Sequence, residues 1–165
     1  MKIKKFRRVV TGIDSNGKAS VVSDESASNV LYRETRPGVA LTNLWEIDDS
    51  KQTFKGFEDT VDGSFVLHPP KRGSVFRVIQ FDPEDKDFIK KVDGKKAFDA
   101  MGASGNVIEN ARHPYMHKTE SVDYSIVLKG SITMLLDEED IELKEGDVVI
   151  QRGTNHAWSN RGTET

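Results

Sequence analysis

Cysteine is absent from this sequence. Its absence excludes disulfides, thiolate metal sites and cysteine nucleophiles, and it leaves the redox compartment open; any bound metal must take nitrogen and oxygen donors. Long apolar runs are missing too. Nothing approaches the roughly 18 residues of a membrane span, and the basic start "MKIKKFRRVV" is not followed by the apolar stretch of a secretory signal. Charge of one sign is not in excess either: 24 Lys and Arg are interspersed with 27 Asp and Glu, for a net charge of -3. Such a surface has no strong electrostatic footprint for nucleic acid. The expectation is a soluble cytoplasmic protein whose partners are small molecules or other proteins, not nucleic acid or membrane.

What the sequence does contain is strand signal. At 165 residues with 36% hydrophobic content, the chain suits one domain burying roughly two-thirds of its unfolded surface. Residues 1–84 read as N-terminal strands, 85–110 as an excursion, and 111–160 as the core of the fold. "RRVVTGIDSNGKASVVSD" predicts a hairpin, with Asn16-Gly17 as a type I′ turn. Strands follow at Gly38 to Asp48 and Gly73 to Pro83, the second alternating Val75, Arg77, Ile79 and Phe81 against Phe76, Val78 and Gln80. "DKDFIKKVDGKKAFDAMG" breaks this pattern and predicts a short helix around Lys95 to Met101 within 85–102. Further strands are expected near Tyr115 to Lys118, Tyr124 to Lys129, Ile132 to Leu136, Ile141 to Leu143, Val148 to Gln151 and His156 to Ser159. Many short strands at close spacing predict an all-β antiparallel barrel or sandwich.

Two stretches carry the chemistry. "GDVVIQRGTNHAWSN", Gly146 to Asn160, places Gly153, His156 and Asn160 at the spacing of the second motif of the cupin superfamily, and the region resembles that family. Gln151 stands where the family usually has proline. "HKTESVDYSIVLKG" resembles the first cupin motif, His-x-His, Glu and Gly, with His117, Thr119, Asp123 and Gly130 at the matching positions. Fifteen residues lie between Gly130 and Gly146, similar to the shortest separation between motifs in cupins. The resemblance is specific over Ala111 to Asn160 and points to small single-domain cupins of bacteria and fungi, most of them without an assigned reaction. It implies a double-stranded β-helix, or jelly-roll barrel, and metal ligands at His117, Asp123 and His156.

Strand geometry supports the same grouping. Alternate residues share a face, so Asp123, Ser125 and Val127 oppose Tyr124, Ile126 and Leu128, and His156 shares a face with Trp158. Two imidazoles and a carboxylate brought together would suit a divalent ion, Fe, Mn, Zn or Ni, without naming it. His113 is four residues before His117, about 13 Å along a regular strand, and is left out of the ligand set. Tyr124 and Arg152 are candidates to orient a substrate, and Trp45, Arg77, Gln151 and Trp158 to line a pocket. Arginine grips carboxylates in bidentate fashion, so an acidic small molecule is the expected ligand.

Each position has a plainer reading. Asp123 is one methylene shorter than the family's Glu and is able to hydrogen-bond Thr119 or Ser125 instead of a metal. Arg77 and Arg152 could face solvent, and the tryptophans could be core. Three functions therefore stay open: a metal-dependent decarboxylase, dehydratase, isomerase or dioxygenase; a non-catalytic small-ligand barrel, with or without metal; and a metal-free oligomerisation domain. Related cupins usually continue with a further strand after the position of Thr165, and an uncovered sheet edge would be covered by N-terminal strands, of this chain or of a second one, in a homodimer.

Overall fold

The computed structural model describes residues 2–49, 54–65, 67–99 and 101–165. They fall into two compact units, Met1–Arg33 with Val39–Gln80, and Glu34–Gly38 with Phe81–Thr165. In the first unit, strands β1 (Arg7–Ile13) and β2 (Ala19–Ser26) pair antiparallel, from Arg7 opposite Ser26 to Ile13 opposite Ala19, with a bulge between Val10 and Thr11. The expected hairpin forms, but its turn is not type I′. Gly17 has a positive φ of 78° and Asn16 does not. Asp14 explains the difference: its Oδ1 accepts from the N–H groups of Asn16 at 2.9 Å and Lys18 at 2.8 Å. That side chain builds a wider loop by mimicking a backbone turn. Strands β3 (Val30–Tyr32), β4 (Val39–Ile47) and β5 (Ser74–Phe81) form a second sheet in that order. β3 was not legible in the sequence; three residues are too few to show a period.

The second unit opens with two short helices, α1 (Lys86–Ile89) and α2 (Gly94–Asp99). Asp85 caps α1 by accepting from the N–H groups of Asp87 and Phe88. The helix expected at Lys95 to Met101 is present as α2, one residue earlier, and of that stretch Ala100 lies outside the described residues. Its first residue has to be glycine, because a Cβ on Gly94 would sit 1.9 Å from the carbonyl oxygen of Pro114. α2 buries Ala97 and Phe98.

Strands β6 (Val122–Ile126), β7 (Ser131–Leu135), β8 (Asp140–Lys144), β9 (Val148–Arg152) and β10 (Ala157–Ser159) follow. β6 pairs antiparallel with β9, and β7 lies between β10 and β8 in an antiparallel sheet. The strand expected at Tyr115 to Lys118 shrinks to single bridges at His117, one to Val107 and one to His156. The cause is upstream: Tyr115 N–H turns back to His113 Nδ1 at 3.2 Å and Met116 N–H to His113 O at 3.0 Å, so the chain is still turning where a strand was expected.

Met116, Leu135 and Ala157 form the buried centre of this unit, with Ile108 and Ala111 packed against them. Asn160 ties its end down. The side-chain Nδ2 donates to Phe81 O at 2.9 Å and Glu164 O at 2.7 Å, and Oδ1 accepts from Gly162 N–H at 2.9 Å. Among the described residues no helix is long and apolar enough to cross a membrane.

Candidate active site

His117 and His156 face each other across an antiparallel bridge closed by two backbone hydrogen bonds, each 2.9 Å, His117 N–H to His156 O and the reverse. Directly opposed residues project their side chains to one face, and the ring centroids lie 4.3 Å apart at 46°. The Nδ1 of His117 is 3.0 Å from Tyr115 O, and the Nδ1 of His156 is 3.0 Å from Thr154 O. A carbonyl oxygen only accepts, so both Nδ1 atoms carry a proton, and in the neutral form of each ring Nε2 is the basic nitrogen. This is how a backbone carbonyl fixes the tautomer of a metal-ligating or proton-accepting histidine. His156 is 2% exposed. Burial pushes its pKa below the usual imidazole value, against the opposing effects of Thr154 O and the Asp123 charge.

A row of flat groups extends from this pair. The Phe98 ring is 5.0 Å from His117, and the Trp158 indole meets His156 edge-on at 6.0 Å. Beyond Phe98 lies the guanidinium of Arg36, 5.9 Å from that ring and 4.5 Å from the ring of Tyr115. Gln151, 2% exposed, stands beside His156. Its Nε2 donates to Thr154 O at 3.0 Å and Thr154 Oγ1 at 3.1 Å, so one carbonyl holds both side chains. The Gln151 Oε1 is buried without a hydrogen-bond partner among the described residues. Gly153 sets the approach to this loop: its φ is +59°, and a Cβ there would come within 3.1 Å of Thr119 O.

Asp123 lies opposite Gln151 in the β6–β9 register and accepts from Ser121 Oγ at 2.8 Å. Ser121 Oγ is also 3.0 Å from Thr119 Oγ1, the residue at the family's second histidine position. Asp123 therefore acts on His156 through its charge while its carboxylate is held locally. Among the described residues, no three His, Asp or Glu side chains converge to hold an ion. Two imidazoles with Nδ1 committed have the chemistry of two donors to a divalent ion, and Gln151 Oε1 is a buried oxygen without a hydrogen-bond partner among the described residues.

Several sequence-predicted residues lie elsewhere. Tyr124 and Arg152 project from the opposite face of the β6–β9 pair, Tyr124 77% exposed, and Arg152 exposed beside Val122. Strand alternation carries them away from the face of Asp123 and Gln151. Trp45 on β4 and Arg77 on β5 belong to the first unit, where Arg77 stacks 5.5 Å over the Phe65 ring. His113 is engaged with Glu84, Nε2 to Oε2 at 3.1 Å, and takes no place beside His117. Burial works against the charge of Glu84, but the hydrogen bond from His113, with weaker effects of nearby Ser159 and Arg161, outweighs it and holds its carboxyl below the usual range. Sequence reasoning missed Arg36, since no motif or period marks it. Phe98 was expected only as part of a helix.

Comparison with known proteins places the second half of the chain in a family. Residues 105–165 match the cupin domain family. Phomopsin biosynthesis cluster protein D of Diaporthe leptostromiformis is 32% identical over 152 residues, covering 92% of this chain and 62% of that protein. The cupin-domain-containing oxidoreductase fogC of Aspergillus ruber is 26% identical, covering 93% of this chain and 63% of that protein. The cupin-domain-containing oxidoreductase virC of Hypocrea virens is 27% identical, with 96% and 69% covered. The chain thus spans about two-thirds or less of the length of these relatives. Residues 105–165 are thus a cupin domain, and the fold class is the all-β, antiparallel cupin type.

Proposed function

We propose that this cupin binds a small, acidic organic molecule at the His117–His156 pair and acts on it as a metal-dependent oxidoreductase. The observation that carries the reading is the pinning of both Nδ1 atoms by Tyr115 O and Thr154 O on two rings 4.3 Å apart, which makes Nε2 the donor atom of each ring when neutral. The names of the fogC and virC proteins support redox chemistry over decarboxylation, dehydration or isomerisation. His117 and His156 would hold a divalent ion, Fe, Mn, Zn or Ni, with Asp123 supplying negative charge nearby. Such an ion supplies Lewis acidity toward a carbonyl or carboxylate oxygen and, if iron or manganese, electron transfer. The chain itself keeps His156 neutral by burial, and sets Phe98 and Trp158 as apolar walls beside the two imidazoles.

Elemental mass spectrometry on untagged protein tests this, with His117→Ala, His156→Ala and Asp123→Ala beside it. Near one equivalent of one of these metals, lost in both histidine variants, is expected. No metal in the parent protein, even after reconstitution with Fe, Mn, Zn and Ni, would replace it by a second reading, a metal-free ligand-binding barrel. One observation favours that alternative: the third candidate ligand, the Asp123 carboxylate, stays with Ser121, and no three such side chains converge among the described residues.

The same reading includes a homodimer. Val122, Tyr124, Ile126, Leu128, Val148 and Ile150 make one apolar face, each between 52% and 77% exposed. A contiguous apolar face of this kind marks an interaction surface. A second copy is the proposed cover, and light scattering coupled to size exclusion tests it.

A further inference from the structure

Arg36 is a buried cation that no carboxylate contacts directly among the described residues. It is 9% exposed, and its Nε has no hydrogen-bond partner among the described residues. Its neighbours are ring faces, Tyr115 at 4.5 Å and Phe98 at 5.9 Å. The Tyr115 hydroxyl is committed to Thr35 O at 3.2 Å. The carboxylate whose field reaches the guanidinium is Glu84, and its Oε2 is turned to His113 at 3.1 Å. Burial without a direct ion pair lowers the pKa of Arg36 to about 10. Arg8 is an internal control. It is equally buried, at 8% exposed, and there the chain provides both a bidentate partner in Asp59 and the Glu25 carboxylate at 3.5 Å. A buried guanidinium that serves only the fold is met by a carboxylate; the one beside the histidine row is not.

We infer that Arg36 is the anchor for a carboxylate on the ligand of this site, which its Nε–H edge takes in a side-on, bidentate contact. The inference rests on the proposed site at the His117–His156 pair, and it names the group on the ligand that is gripped. A planar guanidinium presents two parallel N–H donors at the spacing of two carboxylate oxygens. The flanking rings of Phe98 and Tyr115 favour a flat, unsaturated acid over an aliphatic one, since ring faces stack on conjugated groups. The contact would also offset the cost of burying the charge, which an uncharged ligand could not do.

The test is NMR on protein labelled with 15N-arginine, the Arg36 Nε–Hε resonance being assigned by its disappearance in Arg36→Lys. Benzoate is titrated to about 50 mM, a range that reveals millimolar affinity, with neutral benzamide as the control. A saturable downfield shift of that one resonance with benzoate and none with benzamide is expected. Arg36→Lys should weaken benzoate about tenfold or more, because an ammonium lacks the fork geometry. No shift with benzoate, or an equal response to benzamide, would overturn the inference. Should the lysine variant unfold, Arg36→Met, in which the same resonance is absent, supplies the assignment, and the wild-type contrast still decides. A protein that binds metal through its histidines yet ignores benzoate would overturn the role of Arg36 alone; benzoate binding without any metal would overturn the metal reading alone.

Discussion

If Arg36 is held for a ligand and not for the fold, replacing it should make the protein more stable. Arg36→Met keeps an unbranched side chain of similar length and removes the charge. Burial drives the guanidinium from its ordinary value down to about 10, and at 1.36 kcal/mol per pKa unit that corresponds to a penalty of roughly 3 kcal/mol. Against it stand two cation–π contacts: the shielded one to Tyr115 at 4.5 Å is worth about 2 kcal/mol, and the one to Phe98 at 5.9 Å, at the limit of the interaction, about 0.5 kcal/mol. The balance predicts a variant more stable by up to about 1 kcal/mol, a rise in Tm of up to roughly 4 °C. Calorimetric or circular-dichroism melts at pH 7.5 measure it. Truncating one partner of a buried ion pair costs about 3–5 kcal/mol. A fall in Tm of more than about 4 °C would therefore mean that Arg36 has a structural anion and that the reasoning is wrong.

Three further outcomes follow from the same structure. His156 resists protonation in the folded protein while the unfolded chain takes the proton near 6.5, so stability should be flat above that pH and fall as pH drops below it. His156→Phe should flatten this slope in urea titrations between pH 7 and 5, and an unchanged slope would assign it to other groups. Ile126→Glu, on the exposed face of β6, should convert a dimer to a monomer in light scattering, since an unpaired buried charge costs several kcal/mol; a parent protein that is already monomeric would contradict the interface. Gly94→Ala puts a Cβ 1.9 Å from Pro114 O and should cost at least about 2 kcal/mol; a loss below about 0.5 kcal/mol would show that the Pro114 loop yields freely.

The parts of this fold that were legible in the sequence are those with a local cause. The β6–β9 alternation could be read from Asp123, Ser125 and Val127 against their apolar neighbours, because a strand's period of two is written in the residues themselves. The structure keeps that alternation, with 123, 125 and 127 half-buried and 122, 124 and 126 exposed. Gly153, His156 and Asn160 were legible as a motif, though not what Asn160 does: its three side-chain hydrogen bonds include one to Phe81, far away in sequence. Tyr124 was misplaced because its chemistry outweighed its parity; one residue from Asp123, it had to face the other way. The Asn16-Gly17 turn misled because Asp14, two residues earlier, offered the backbone a competing acceptor. Arg36 was invisible for a different reason. Its meaning lies in the carboxylate that is not beside it, and only three-dimensional neighbours reveal such an absence.

The tautomers of His117 and His156 bear most directly on the site. Long-range 1H–15N correlation spectra of the imidazoles, recorded before and after addition of Zn2+, report which nitrogen carries the proton and which responds. The geometry predicts Nδ1–H for both rings, held by Tyr115 O and Thr154 O, with both Nε2 signals shifting together as the ion binds. Protonated Nε2 atoms, or rings that ignore the metal, would contradict the assignment of this pair as the centre of the site.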